Sequence, residues 1–98
     1  MPTYVVLLNW TEQGVQGARE TVDRFESSRS AWEQVGITFR DCYWTIGPHD
    51  VVATVDAPDD ETLSAAVIGL AGAGNVRTTT MRAFSADEMR GVLAKIPG

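Results

Sequence analysis

The run Thr3–Trp10 (TYVVLLNW) constrains this chain most: it is rich in β-branched and aromatic residues and apolar at nearly every position. A strand wetted on one face alternates polar with apolar, whereas an unbroken apolar run marks a strand covered on both faces. The run therefore predicts a central strand, with something packed against each side of it. At 98 residues the chain has room for one core, so residues 1–98 are expected to form a single domain. A domain of this size buries roughly 60–65% of its unfolded surface and gains much from pairing.

The rest of the chain arranges itself around that strand. Thr11 is placed to cap a helix, and Val15, Ala18, Val22, Phe25 and Trp32 recur at helical spacings, predicting one apolar stripe that ends at Gly36. Arg19–Asp23, Glu20–Arg24 and Arg29–Glu33 are expected to pair along its solvent side. Residues 37–46 and 50–57 read as two strands joined through Gly47, Pro48 and His49 as a short hairpin. A two-residue loop sets Asp41 opposite Asp56, a like-charge pair that weakens a ladder. A three-residue loop instead sets Arg40 opposite Asp56 and Trp44 opposite Val52, and is the preferred register.

After Pro58, Asp59 is expected to cap a second helix with Leu63, Ala66, Val67 and Leu70 on its buried stripe and Asp60 and Glu61 in its first turn. Residues 75–84 carry the threonine content of a fourth strand. Ser85 with Glu88 reads as a capping box for a last helix that turns Met89, Val92, Leu93 and Ile96 inward. The order β-α-β-β-α-β-α predicts an α+β, ferredoxin-like split βαβ fold: a four-stranded antiparallel sheet in the order 4-1-3-2 with helices on one face. The other face stays apolar, and a second copy of the chain is the expected cover.

Composition narrows the partners. The net charge is −5 and the eight basic residues are scattered, so neither a nucleic-acid face nor binding to an anionic membrane is expected. No apolar run approaches the ~18–20 residues that span a bilayer. The chain opens on a strand-like run with no leader pattern, and Cys42 is its only cysteine, so a cytoplasmic setting is the expectation. One histidine and one cysteine cannot supply a standard zinc set, and neither a metal nor another cofactor is expected. The glycines at positions 69, 72 and 74 follow a helix and precede a strand, the reverse of a dinucleotide-binding loop.

The segments TYVVLLNWTEQGV, YWTIGPHDVVATVDAPDD and NVRTTTMRAFS together resemble the GYD family of small bacterial proteins, which belongs to the dimeric α/β-barrel superfamily. Gly47 and Asp50 match the family's Gly-x-Tyr-Asp signature, and His49 stands where tyrosine is usual. The resemblance implies a homodimer whose sheets face each other as a barrel, with a pocket between sheet and helices in each subunit. It assigns no activity, since one fold of this kind hosts many.

Histidine is the side chain whose chemistry suits a proton shuttle near neutral pH, so His49 reads either as a general base or as a polar turn residue. Asp50 either orients it or accepts backbone N–H groups that close the turn. Trp10, Tyr43 and Trp44 suit the walls of a pocket for a flat ligand and equally suit a core or an interface, whereas Trp32 on the helix stripe reads as core. Asn9, the one amide of the first strand, can hold a ligand oxygen or a neighbouring loop. Two functions remain beside that of a purely regulatory or assembly module. One is a dimeric domain that binds another protein or a small molecule, with an aromatic ligand among the candidates. The other is a cofactor-independent enzyme of the monooxygenase or cyclase kind, acting on an aromatic or polyketide-like substrate with His49 as base.

Overall fold

A computed structural model describes all residues, Met1–Gly98. Strand β1 (Thr3–Trp10) is followed by a short helix α1 (Glu12–Gln16), a 3-10 turn (Ala18–Glu20) and the helix α2 (Thr21–Gln34). Then come β2 (Thr38–Trp44), β3 (Val51–Asp56), α3 (Asp60–Gly72), β4 (Val76–Ala83) and α4 (Ala86–Leu93). The four strands form one antiparallel sheet in the order β2-β3-β1-β4, the order expected from the sequence, and the sheet is open at both edges. β1 lies inside it, paired with β3 on one side and β4 on the other. No helix is long and apolar enough to cross a membrane.

Successive strand residues point to opposite faces. Tyr4, Val6 and Leu8 of β1 and Val51 and Val55 of β3 form the core with Trp32 of α2 and Leu63 of α3. The Tyr4 hydroxyl donates to the Asp60 carboxylate, joining β1 to the start of α3. Burial first, and that hydrogen bond second, push the phenol up to about 12. The opposite face carries Tyr43, Val52 and Leu7 in one cross-strand row and Val5 beside Met81 in the next. No helix of this chain buries that face: Val5, Leu7 and Val52 are half-buried, and Tyr43 and Met81 are exposed.

The caps form as their chemistry dictates. Thr11, Asp59 and Ser85 each accept a backbone N–H of the helix they precede, and Ser85 with Glu88 completes the reciprocal capping box. Gly36 and Gly74 take φ of 86° and 88° just beyond α2 and α3, the left-handed conformation that releases a chain from a helix.

Three expectations need correction. The segment after Thr11 is not one helix. It breaks at Gly17 and resumes through the 3-10 turn, and the apolar phase resets across the break. Val15 and Val22 are consequently exposed, and only Arg29–Glu33 pairs, at 3.1 Å. Arg19–Asp23 and Glu20–Arg24 do not, because the i,i+4 geometry does not hold across a 3-10 turn.

The hairpin register matches neither sequence alternative: Trp44 lies opposite Val51, leaving residues 45–50 as the loop, closed by Thr45 N–H to the Asp50 carbonyl at 2.9 Å. A bulge at Arg40 separates Phe39↔Val55 from Asp41↔Thr54 and still brings Arg40 to Asp56 at 2.6 Å.

Finally, α4 buries none of its residues. Met89, Val92, Leu93 and Ile96 stay 40–65% exposed, because the sheet's helix-covered face is already filled by α2 and α3.

The cluster at the bulge carries an acid-sensitive part of the stability. The Thr3 hydroxyl, 2.6 Å from Asp56, and then the Arg40 guanidinium hold the Asp56 carboxyl below its ordinary 3.8. A carboxyl depressed in the folded state contributes stability above the unfolded value, and loses it as pH falls through the folded one. The urea midpoint is therefore expected to drop as pH falls below about 4, and the drop should be shallower in Asp56→Asn, measured by denaturation at stepped pH. Parallel curves for the two proteins would place the acid-sensitive group elsewhere.

Candidate functional site

Between the sheet and the helices α2 and α3 lies a cavity of about 390 Å³, and 13 of its 19 lining residues are hydrophobic. Each wall follows from a local pattern. β1 contributes Val6, Leu8 and Trp10 from alternate positions. β2 contributes Phe39, Cys42 and Trp44, and here the bulge decides. Positions 39 and 42 would face opposite sides of a regular strand, but the extra residue Arg40 brings both to the cavity side. α2 contributes Thr21, Phe25, Ser28 and Trp32, spaced four, three and four apart. Two hydroxyl residues on an inward stripe suit the wall of a cavity better than a solid core.

The aromatic side chains form a connected wall. Trp32 stacks on Phe39 with ring centroids 5.1 Å apart and an interplanar angle of 28°. Phe25 meets Phe39 edge-on at 5.2 Å and Trp44 edge-on at 5.7 Å. Such pairs add roughly 0.5–1.5 kcal/mol each beyond the area they bury. The Trp44 indole N–H donates to the Thr21 hydroxyl at 3.0 Å, fastening the edge strand to α2 at the rim, where Trp44 is 38% exposed. Burial, and then the nearby Glu26 carboxylate, push the Cys42 thiol up, which keeps it protonated and a poor nucleophile.

Of the residues singled out in the sequence, Trp10 and Trp44 line this cavity, and Asn9, Tyr43, His49 and Asp50 do not. Asn9 and His49 meet each other instead. The Asn9 amide nitrogen donates to the Pro48 carbonyl at 2.6 Å, and its oxygen lies 2.8 Å from His49 Nδ1. An inverted amide would set two oxygens against each other, so the Asn9 oxygen accepts and His49 Nδ1 carries the proton. Asp50 Oδ2 accepts the Trp10 backbone N–H at 2.9 Å, and the Asp50 N–H donates to the Leu8 carbonyl at 2.9 Å. This carboxylate extends the β1 ladder. Tyr43 is 63% exposed on the open face, opposite Val52. No group of three His, Cys, Asp or Glu side chains is close enough to hold a metal ion.

Phe25, Phe39, Cys42 and Arg24 line the cavity and were not singled out as site residues in the sequence. One signal for the strand residues was present: the apolar phase shifts between Ile37, Phe39 and Cys42, Trp44, which is the mark of a bulge. Arg24 carried no such mark, since its spacing to Glu20 reads as an ordinary surface pair.

A family model described as GYD domain matches residues 4–93. The glutamine synthetase and cystathionine beta-lyase binding protein of Thermus thermophilus is 32% identical over 85 residues, covering 86% of this chain and 90% of the relative. Among solved structures, TTHA0845 from Thermus thermophilus is similar with a TM-score of 0.56 at 28% identity, over 88% of this chain and 96% of that one. MtbAldR is similar in fold, with a TM-score of 0.66 at 19% identity over 86% of this chain. The present chain spans about half of MtbAldR, 52% of its length.

Proposed function

The chain belongs to the GYD domain family, and from that premise we propose that it is a binding protein, which pairs with a second copy of itself and holds a small aromatic molecule in the cavity between sheet and helices. The observation that carries this reading is the aromatic cavity itself. Its volume lies within the ~300–1,000 Å³ of small-molecule sites, and its lining is mostly apolar, as such sites are. The one histidine lies outside it, bonded to Asn9, and the one cysteine inside it stays protonated. That separation favours binding over turnover by His49 on the same walls. The name of the Thermus relative supports a role in binding other proteins, which a ligand-holding dimer can serve without chemistry of its own.

Pairing is inferred from the ferredoxin-like arrangement and its open face. Val5, Leu7, Val52 and Met81 lie on the sheet opposite the helices, and α4 adds a second uncovered apolar stripe. A second copy covers such surfaces, with the two sheets facing each other as a barrel. Light scattering after size exclusion is expected to give about twice the chain mass of 10.6 kDa at micromolar concentration. Leu7→Lys, which sets a charge in the middle of that face, should give the single-chain mass with the far-ultraviolet circular dichroism unchanged. A wild-type protein that runs as one chain would end the pairing proposal.

The cavity is tested separately. A neutral naphthalene probe should quench the tryptophan emission saturably, since Trp10, Trp32 and Trp44 all border the space. Cys42→Phe should abolish the quenching by filling the cavity while the protein stays folded. Quenching that is unsaturable, or equal in the filled variant, would remove the ligand site.

A further inference from the structure

We infer that Arg24 is an anion anchor at this cavity, and that the ligand class is a flat aromatic body bearing a carboxylate. The inference rests on the cavity being the ligand site and names the chemistry it selects. Arg24 lines the cavity from α2, is half-buried, and is the only cationic residue among those that do so. Its position is held by backbone: Nη1 donates to the Gly17 carbonyl at 2.6 Å, and the second terminal nitrogen approaches the Gly14 carbonyl at 3.5 Å. The Gly17 carbonyl also accepts the Glu20 N–H of the 3-10 turn at 3.1 Å, so the arginine is tied to backbone that the turn itself fixes where α1 ends.

Carbonyls orient a guanidinium without neutralising it. The ion pairs of this protein are Arg29–Glu33, Arg40–Asp56 and Arg90–Asp87, and Arg24 belongs to none of them. Glu20, its expected helical partner, sits on the 3-10 turn with its carboxylate on the same side of Gly17 but forms no ion pair with it. A half-buried guanidinium is costly to leave without a charge partner in contact, and because the chain's net −5 opposes anions, the attraction for one rests on this local site. A guanidinium has five N–H donors, and its two carbonyl bonds leave others for a planar anion. Asp23 also borders the cavity, but it is exposed, and water and salt screen its repulsion. The half-buried cation therefore outweighs the exposed carboxylate, and Phe25, Phe39 and Trp44 supply the apolar surface for the ring.

The test compares 2-naphthoate with 2-naphthamide, which share shape and differ in charge, by titrating tryptophan emission of the intact protein. The carboxylate is expected to bind roughly tenfold or more tightly, the range of a hydrogen-bonded charge pair. Arg24→Gln should bring the two affinities together by weakening the carboxylate alone, and Arg24→Lys should keep most of the preference. Equal binding of the two probes by the wild-type protein would overturn the anchor and leave the cavity reading standing. No saturable binding of either would overturn both. The wild-type comparison needs no variant, so it decides even where loss of this tie to the backbone unfolds Arg24→Gln.

Discussion

Gly14→Ala is expected to remove a large part of the protein's stability, although it adds only one methyl group. Gly14 is buried where α1 meets the backbone of Asn75, the residue before β4. A Cβ built on it would stand 2.9 Å from the Asn75 carbonyl carbon, with the carbonyl oxygen closer still. The obstacle is backbone and cannot rotate away. It is pinned by the Thr11 N–H donating to the Asn75 carbonyl at 3.0 Å and the Thr11 hydroxyl donating to the Gly74 carbonyl at 2.5 Å. Overpacking costs about 1–3 kcal/mol and occasionally more, and a clash with fixed backbone belongs at or above the top of that range. Gly69→Ala is the control, because nothing lies within 4 Å of its added Cβ inside α3. That change should stabilise by about 0.4–1 kcal/mol through the unfolded chain. Urea midpoints should move in opposite directions, and a Gly14→Ala midpoint at or above wild type would contradict the close packing of α1 on Asn75.

Trp32→Ala should be comparably damaging and Trp44→Ala much less so. Trp32 is 6% exposed, stacks on Phe39 and belongs to the core cluster, and truncating a buried tryptophan costs about 3–5 kcal/mol. That is a large share of the ~5–15 kcal/mol by which domains are stable. Trp44 sits at the rim with one hydrogen bond to Thr21, an interaction worth about 1 kcal/mol. Its loss should be read mainly in the binding of a naphthalene probe, since it opens the mouth of the cavity. Equal urea midpoints for the two variants would refute this division between core and rim.

Much of the fold was legible because its signals are local. The unbroken apolar run of β1 announced a central strand, and Asp59 and the Ser85–Glu88 pair announced helix starts that form through contacts within one turn. The cavity was only half legible. Trp10 and Trp44 stood out as wall residues, but the aromatic content could not say that Trp32 serves both core and wall, or that His49 is occupied by Asn9. The helix stripe misled for a nameable reason: Val15 and Val22 keep helical spacing across Gly17, where the helix does not continue.

The line between the two kinds of knowledge follows the range of the interactions. Strand and helix identity and capping come from periodicity and from contacts a few residues apart, and the strand order follows from the sequence of elements although it pairs residues as distant as Thr3 and Ala83. The bulge at Arg40, the choice of Gly17 and Gly14 carbonyls as partners for Arg24, and the placing of His49 against Asn9 depend on groups that folding brings together from different elements. Only close packing selects among such partners, because a guanidinium or an imidazole has several acceptors within reach until the surrounding backbone is fixed.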